Sequence, residues 1–78
     1  MNNKFEAIIS ICIIPKTVEI ISQKDEIDEI NALNKFYNSK TYYLLSIEET
    51  KLWYYSPLTI YSMWKSEQET GEIIFPVG

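Results

Sequence analysis

The side chains that most often carry out catalysis or bind metals are scarce in this sequence. It contains no histidine, one cysteine (Cys12) and two glycines. The lack of histidine excludes Ser-His, Cys-His and zinc-His arrangements, and a lone cysteine excludes a Cys-x-x-Cys metal or redox site. Two glycines do not build a phosphate-binding loop. We therefore expect no enzyme activity, no catalytic residue, no cofactor and no metal site.

The eleven acidic residues are the remaining candidates for acid–base chemistry. Glu26 and Glu29 have helical spacing, but two carboxylates on one face act as an acid and a base only inside a cleft. Close to a helix start they are more simply explained as charges that interact favourably with the helix dipole. We interpret Glu67, Glu69 and Glu72 as a solvent-exposed face.

The charge balance argues against a nucleic-acid partner. The formal net charge is −4, and all seven basic residues are lysines. Arginine is the residue that contacts phosphate and guanine with two hydrogen bonds at once, and it is absent. An acidic surface also opposes binding that depends on releasing counterions from a phosphate backbone. We expect no sequence-specific or tight nucleic-acid binding.

Aromatic residues are concentrated in one part of the chain, since nine of the eleven lie between Phe36 and Trp64. A core this small holds only a few large rings, and surplus Tyr and Trp at a surface are typical of protein interfaces. Two explanations stay open for the aromatic residues that do not fit into the core. Their rings cover the edge of the core, or they form a protein-binding surface. The expected core residues are Phe36, Leu44, Leu45, Leu52, Ile60 and Trp64. The candidate partner-binding residues are Trp53, Tyr54, Tyr55, Tyr42 and Tyr61.

The hydrophobic pattern predicts an all-α fold, a single small domain of about four helices over residues 1–78. The first helix covers about residues 4–22, with Pro15 ending or kinking it. A strand over 7–14 is the alternative, because β-branched isoleucines dominate there. The predicted apolar face of the first helix consists of Ala7, Ile11, Ile14, Val18 and Ile21.

The second helix, 26–37, is expected to be the most regular element, with Asp25 as its N-cap. Its predicted apolar stripe is Ile27, Ile30, Leu33 and Phe36. Ser39 caps a third helix over 40–47, and the two form a helix-turn-helix-like corner.

The chain after this corner shows a break, a last helix and a tail. Residues 51–55 are expected to be extended because they are rich in aromatic rings. Ser56-Pro57 starts the last helix, which stops at Thr70-Gly71. An extended C-terminal tail over 72–78 follows.

The apolar run 7–14 is too short for a membrane span, which needs about 20 residues. Cys12 lies within this run and is expected to be buried and inert. The sequence lacks a secretory signal pattern, and a lone cysteine is typical of a reducing compartment. These features predict a cytoplasmic protein with no membrane partner.

Three short segments carry a resemblance to a known family. They are residues 33–39, residues 43–45 and residues 52–57, which read LNKFYNS, YLL and LWYYSP. They resemble small uncharacterised bacterial helical proteins that are often encoded beside ADP-ribosyltransferase-like toxin candidates. The resemblance implies a small cytoplasmic partner protein, an antitoxin-like neutraliser or adaptor.

The expected function is therefore non-catalytic and depends on protein–protein interaction, with another protein or in a homo-oligomer. The alternative is a helix-turn-helix DNA-binding transcriptional regulator. That alternative is weakened because its recognition helix would contain a single cation, Lys40.

Overall fold

The regular elements of this chain are all helical in the computed structural model, which describes residues 3–75. The predicted all-α class is confirmed. One continuous helical run contains α1 (Asn3–Ala7), a π-helical segment (Ile8–Ile13) and α2 (Ile14–Asp25). It is followed by α3 (Glu29–Tyr37), α4 (Lys40–Leu45), two 3₁₀ turns (Glu48–Thr50 and Leu52–Tyr54) and α5 (Pro57–Thr70).

The π-helical segment explains why the first helix buries Ile14, Val18 and Ile21 as predicted but not the earlier part of the predicted face. The Ile14 N–H donates to the Ile9 carbonyl, five residues back instead of four. The segment therefore contains one more residue than an α-helix would, which rotates everything before it. Phe5, Ile9 and Ile13 are buried as a result, whereas the predicted Ala7 and Ile11 are exposed.

Pro15 lies in the first turn of α2, the part of a helix that accommodates proline most readily. The predicted interruption at Pro15 thus takes the form of a change from π-helical to α-helical hydrogen bonding. The alternative strand over 7–14 is wrong. Cys12 also differs from expectation, because it is exposed and not buried. The same rotation that exposes Ile11 accounts for this.

The second helix begins three residues later than predicted. Asp25 is the last residue of α2, and Glu26 adopts a left-handed conformation with φ 57° that ends this helix. The Ile27 N–H donates to the Ser22 carbonyl at 3.2 Å, which closes a helix C-terminus of the Schellman type. Asp28, not Asp25, is the N-cap of α3. At nine residues α3 is shorter than α5, which has fourteen.

The apolar stripe predicted for this helix is only partly buried. Phe36 is fully buried and Leu33 is half-buried, but Ile30 is 71% exposed. Ala32, absent from the prediction, is fully buried. The stripe was expected to face a core, and Ile30 instead lies at the edge of a groove between α2 and α3.

The predicted caps of the later helices are confirmed. Ser39 accepts a hydrogen bond from the Tyr42 N–H at 3.1 Å, and Ser56 accepts one from the Thr59 N–H at 3.2 Å. Gly71 ends α5 in the left-handed conformation, φ 81°, which costs a glycine little. The corner between α3 and α4 consists of two residues.

The core lies where α2 meets α3 and α5, with α4 packed on α5. Five of the six expected core residues, Phe36, Leu45, Leu52, Ile60 and Trp64, are buried. The sixth, Leu44, is half-buried.

The tail after α5 has no regular structure over 72–75, and residues 76–78 lie outside the described part. Ile73 packs against the core, while Ile74 and Phe75 are exposed. No helix among residues 3–75 combines the length and the apolar character needed to cross a bilayer.

Candidate protein-binding site

The segment between α4 and α5 is compact and not extended, contrary to the prediction for residues 51–55. Lys51 has φ 59° and joins the two 3₁₀ turns. The left-handed conformation is uncommon for a residue with a side chain and persists where its surroundings hold it. Thr50 helps to hold it, since its hydroxyl donates to the Leu44 carbonyl at 2.7 Å. The segment is therefore fixed at both turns.

Two side chains anchor the second turn to the molecule. Leu52 is 1% exposed and belongs to the core. The Trp53 indole N–H donates to the Glu48 carbonyl at 3.0 Å, and its ring meets Phe5 edge-on at 6.1 Å between centroids. Trp53 is half-buried by these contacts. These contacts hold the backbone on either side of Tyr54 in place.

Tyr54 projects into solvent from this anchored turn. It is 80% exposed, the most exposed large apolar side chain of the described residues. Tyr55, the next residue, is half-buried and packs against the core. Successive side chains of a 3₁₀ turn point about 120° apart, because it has three residues per turn. The ring of Tyr54 therefore points outward, whereas the rings of Trp53 and Tyr55 are partly buried.

We use the name aromatic surface for Trp53, Tyr54 and Tyr55 together with Lys51 and Ser56. A shallow cavity of about 570 Å³ lies among Lys51, Tyr54, Tyr55 and Ser56. The Trp53 and Tyr54 rings meet edge-on at 6.1 Å. An apolar ring with a polar hydroxyl beside such a cavity can enter a pocket on a partner and still hydrogen-bond.

The other two candidate residues make ring contacts elsewhere. Tyr42 packs edge-on against Phe36 at 5.8 Å and Tyr37 at 4.7 Å, at the corner between α3 and α4. Tyr61 lies on α5, 6.1 Å from Trp64 between ring centroids. Both are half-buried. A role for Tyr42 and Tyr61 in partner binding stays a prediction, and the aromatic surface is defined without them.

A polar cluster that the sequence did not indicate joins α2 to α5. The Tyr61 hydroxyl donates to Asp25 at 3.0 Å, and the Lys65 ammonium group pairs with the same carboxylate at 3.1 Å. The pKa of Tyr61 is raised above its ordinary 10.0, mainly by burial and to a smaller extent by this hydrogen bond. The hydrogen bond to Asp25 is the main reason that the pKa of Lys65 rises above its ordinary 10.5.

This cluster predicts that stability falls in strongly alkaline solution. Both groups hold their proton more tightly when folded, so their contribution is fully present below the unfolded pKa values of 10.0 and 10.5. It is lost as the pH rises through the higher folded values. The measurement is urea unfolding from about pH 8 to about pH 11. The double variant Tyr61→Phe/Lys65→Gln should lose less stability over that range, and an equal loss in both proteins would contradict the prediction.

Glu67 was interpreted as part of a solvated face, and this is wrong. Its carboxylate accepts hydrogen bonds from the N–H groups of Lys40 and Thr41 at 2.8 and 3.0 Å, and from the Thr41 hydroxyl at 2.8 Å. It therefore caps α4 from another helix. Glu67 is separated from Lys40 by 27 positions and from Thr41 by 26. No local pattern in the sequence indicates a contact over such a distance.

Among residues 3–75, no group of three His, Cys, Asp or Glu side chains is placed to hold a metal ion. Comparison with family models, with curated proteins and with solved structures gave no significant match for this chain.

Proposed function

We propose that this chain acts without catalysis by binding another protein through the aromatic surface. The observation that carries the proposal is the 80% exposure of Tyr54 on a turn that Leu52 and Trp53 anchor. Tyrosine loses little conformational entropy on binding, since it has only two rotatable side-chain angles. Anchoring of the backbone reduces the ordering cost further.

Binding another protein without catalysis matches the antitoxin-like role that the sequence resemblance implies. An antitoxin-like neutraliser covers a surface of its target and needs no catalytic group of its own. The sequence contains none of the usual catalytic arrangements. The structure contains an aromatic surface whose backbone is held in place by contacts within the protein. A cytoplasmic location, expected from the single cysteine, belongs to this proposal. Self-association through the same surface is the alternative form of the interaction.

The helix-turn-helix alternative is less well supported. In such DNA-binding proteins the N-terminal residues of the second helix contact base edges. Here the N-terminus of α4 is occupied by the Glu67 carboxylate, and α4 has six residues with one cation, Lys40. A carboxylate at this position repels phosphate, which favours a protein partner over DNA.

The proposal is tested by replacing the exposed Tyr54 with alanine and making the same change at a second exposed tyrosine. We expect Tyr54→Ala to weaken partner binding by about 2 kcal/mol or more, the cost typical of an interface hot spot. Stability should change by less than about 0.5 kcal/mol, because the side chain is mostly in solvent. The control is Tyr43→Ala, since Tyr43 is also a tyrosine and is 64% exposed, but on α4.

The partner is first identified by photo-crosslinking from position 54 in the native host, with a crosslinker at exposed Leu58 as the background control. Affinities of the purified parent, Tyr54→Ala and Tyr43→Ala proteins for that partner are then measured by calorimetry. Sedimentation of the protein alone tests whether the partner is a second copy. Equal affinities for the parent and for both variants would reject the aromatic surface as the binding site.

A further inference from the structure

A second apolar surface lies between α2 and α3, away from the residues of the aromatic surface. It is a groove of about 340 Å³, and its lining includes Ile14 and Val18 from α2 and Ile30, Leu33 and Tyr37 from α3. Ile30 is 71% exposed at its edge. Ile11, one helical turn before Pro15, is also 71% exposed. An apolar groove with exposed apolar side chains at its edge is typical of a binding surface.

We propose that this groove binds an amphipathic helix of a partner protein that carries lysine or arginine at one end. A helix suits the groove because its backbone hydrogen bonds are satisfied internally. The described residues include no strand edge that could pair with an extended peptide. Apolar residues of the incoming helix at positions i, i+4 and i+7 would meet Ile30, Leu33 and Tyr37, and α2 would form the opposite wall.

The charges around the groove determine the chemistry of the partner. Glu29 is the only charged side chain in the lining. Glu26 and Asp28, both exposed, lie in the connection just before Glu29 and add negative charge next to it. A basic residue on the incoming helix would complement these charges, and opposite charges across an interface favour both encounter and register.

The same charges disfavour a second copy of this chain as the occupant. The groove lining contains an acidic residue and no cation. Two grooves packed against each other would therefore leave Glu29 of each copy without an opposite charge. A like-charged interface costs specificity and affinity. A basic helix from another protein meets both the apolar and the acidic parts of the groove.

The test is a selection in which the probe is a phage-displayed library of helical peptides with randomised apolar and flanking positions. The bait is the full chain, and the counter-selection uses Ile30→Lys, which tests the groove without disturbing buried atoms. We expect selected peptides to carry lysine or arginine at one end of an apolar face. Their affinity should fall at least tenfold with Ile30→Ala, and Glu29→Lys should reverse the preference towards acidic peptides.

The control variant is Leu58→Ala, which removes an exposed apolar side chain on α5 that does not line the groove. It should bind the selected peptides as the parent does. The proposal is overturned if no peptide prefers the parent to Ile30→Lys, if the selected peptides show no basic preference, or if NMR shifts place them on Trp53–Tyr55. It is also overturned if Ile30→Lys abolishes a dimer of the parent in sedimentation. Tyr54→Ala should leave peptide binding unchanged, so this proposal and the aromatic surface can fail independently.

Discussion

Replacing Glu67 with alanine should destabilise the fold by about 2–4 kcal/mol, an unusually large effect for a glutamate. The carboxylate accepts three hydrogen bonds from Lys40 and Thr41. Loss of a helix cap costs about 0.5–2 kcal/mol, and a buried hydroxyl left without a partner costs about 1–3 kcal/mol more. Thr41 is fully buried, and its hydroxyl uses Glu67 as its acceptor. A six-residue helix such as α4 has little stability of its own.

The measurement is urea unfolding monitored by circular dichroism, with Glu69→Ala as the control. Glu69 lies two residues away on α5 and is exposed, so its removal should change stability by less than about 0.5 kcal/mol. Glu67→Gln should give an intermediate loss, because an amide keeps one acceptor oxygen. If Glu67→Ala and Glu69→Ala unfold at the same urea concentration, the interhelical cap contributes nothing.

Replacing Phe36 with alanine should have the largest effect, about 3–5 kcal/mol of destabilisation. Phe36 is 0% exposed, and its ring meets Tyr42 edge-on at 5.8 Å. A chain of 78 residues typically has about 4–12 kcal/mol of total stability. The loss is therefore a large fraction of the total stability, and the melting temperature of the variant should fall strongly.

Ile30→Ala is the matched comparison for this change. The sequence placed Ile30 and Phe36 on one apolar stripe, but the structure leaves Ile30 71% exposed. Its truncation should cost less than about 0.5 kcal/mol, since little buried volume is lost. Thermal melts of both variants distinguish the two positions. Similar losses at Ile30 and Phe36 would mean that the observed burial does not describe the protein in solution.

Local signals in the sequence predicted the N-caps of α4 and α5 and the C-terminal end of α5 correctly. Ser39 and Ser56 each bond to an N–H three residues later, and Gly71 stops α5. These features depend on only a few adjacent residues, so the sequence contains all the information that they need. Asp25 was misassigned as a cap because Asp28, three residues on, is equally suited to the role. Which aspartate acts as the cap depends on how far α2 continues.

Contacts between distant parts of the chain were not predictable from pattern. Asp25 meets Tyr61 and Lys65 across 36 and 40 positions, and only the folded arrangement of α2 and α5 brings them together. The candidate aromatic surface was found because three consecutive large rings do not all enter one small core. The exposed ring could not be named from sequence, since that depends on the conformation of Lys51. The groove was missed because isoleucines at helical spacing were assumed to face inward.

The π-helical segment makes the number of residues before Pro15 as important as their identity. One residue more or less turns the preceding part of the helix by about 100°. Deleting a single residue among 8–13 would allow ordinary α-helical bonding and would carry Phe5 away from Trp53, which it now contacts. The aromatic surface would then lose its contact with Phe5 although every side chain in it was unchanged. In this part of the chain, insertions and deletions are therefore expected to be under stronger evolutionary constraint than conservative substitutions.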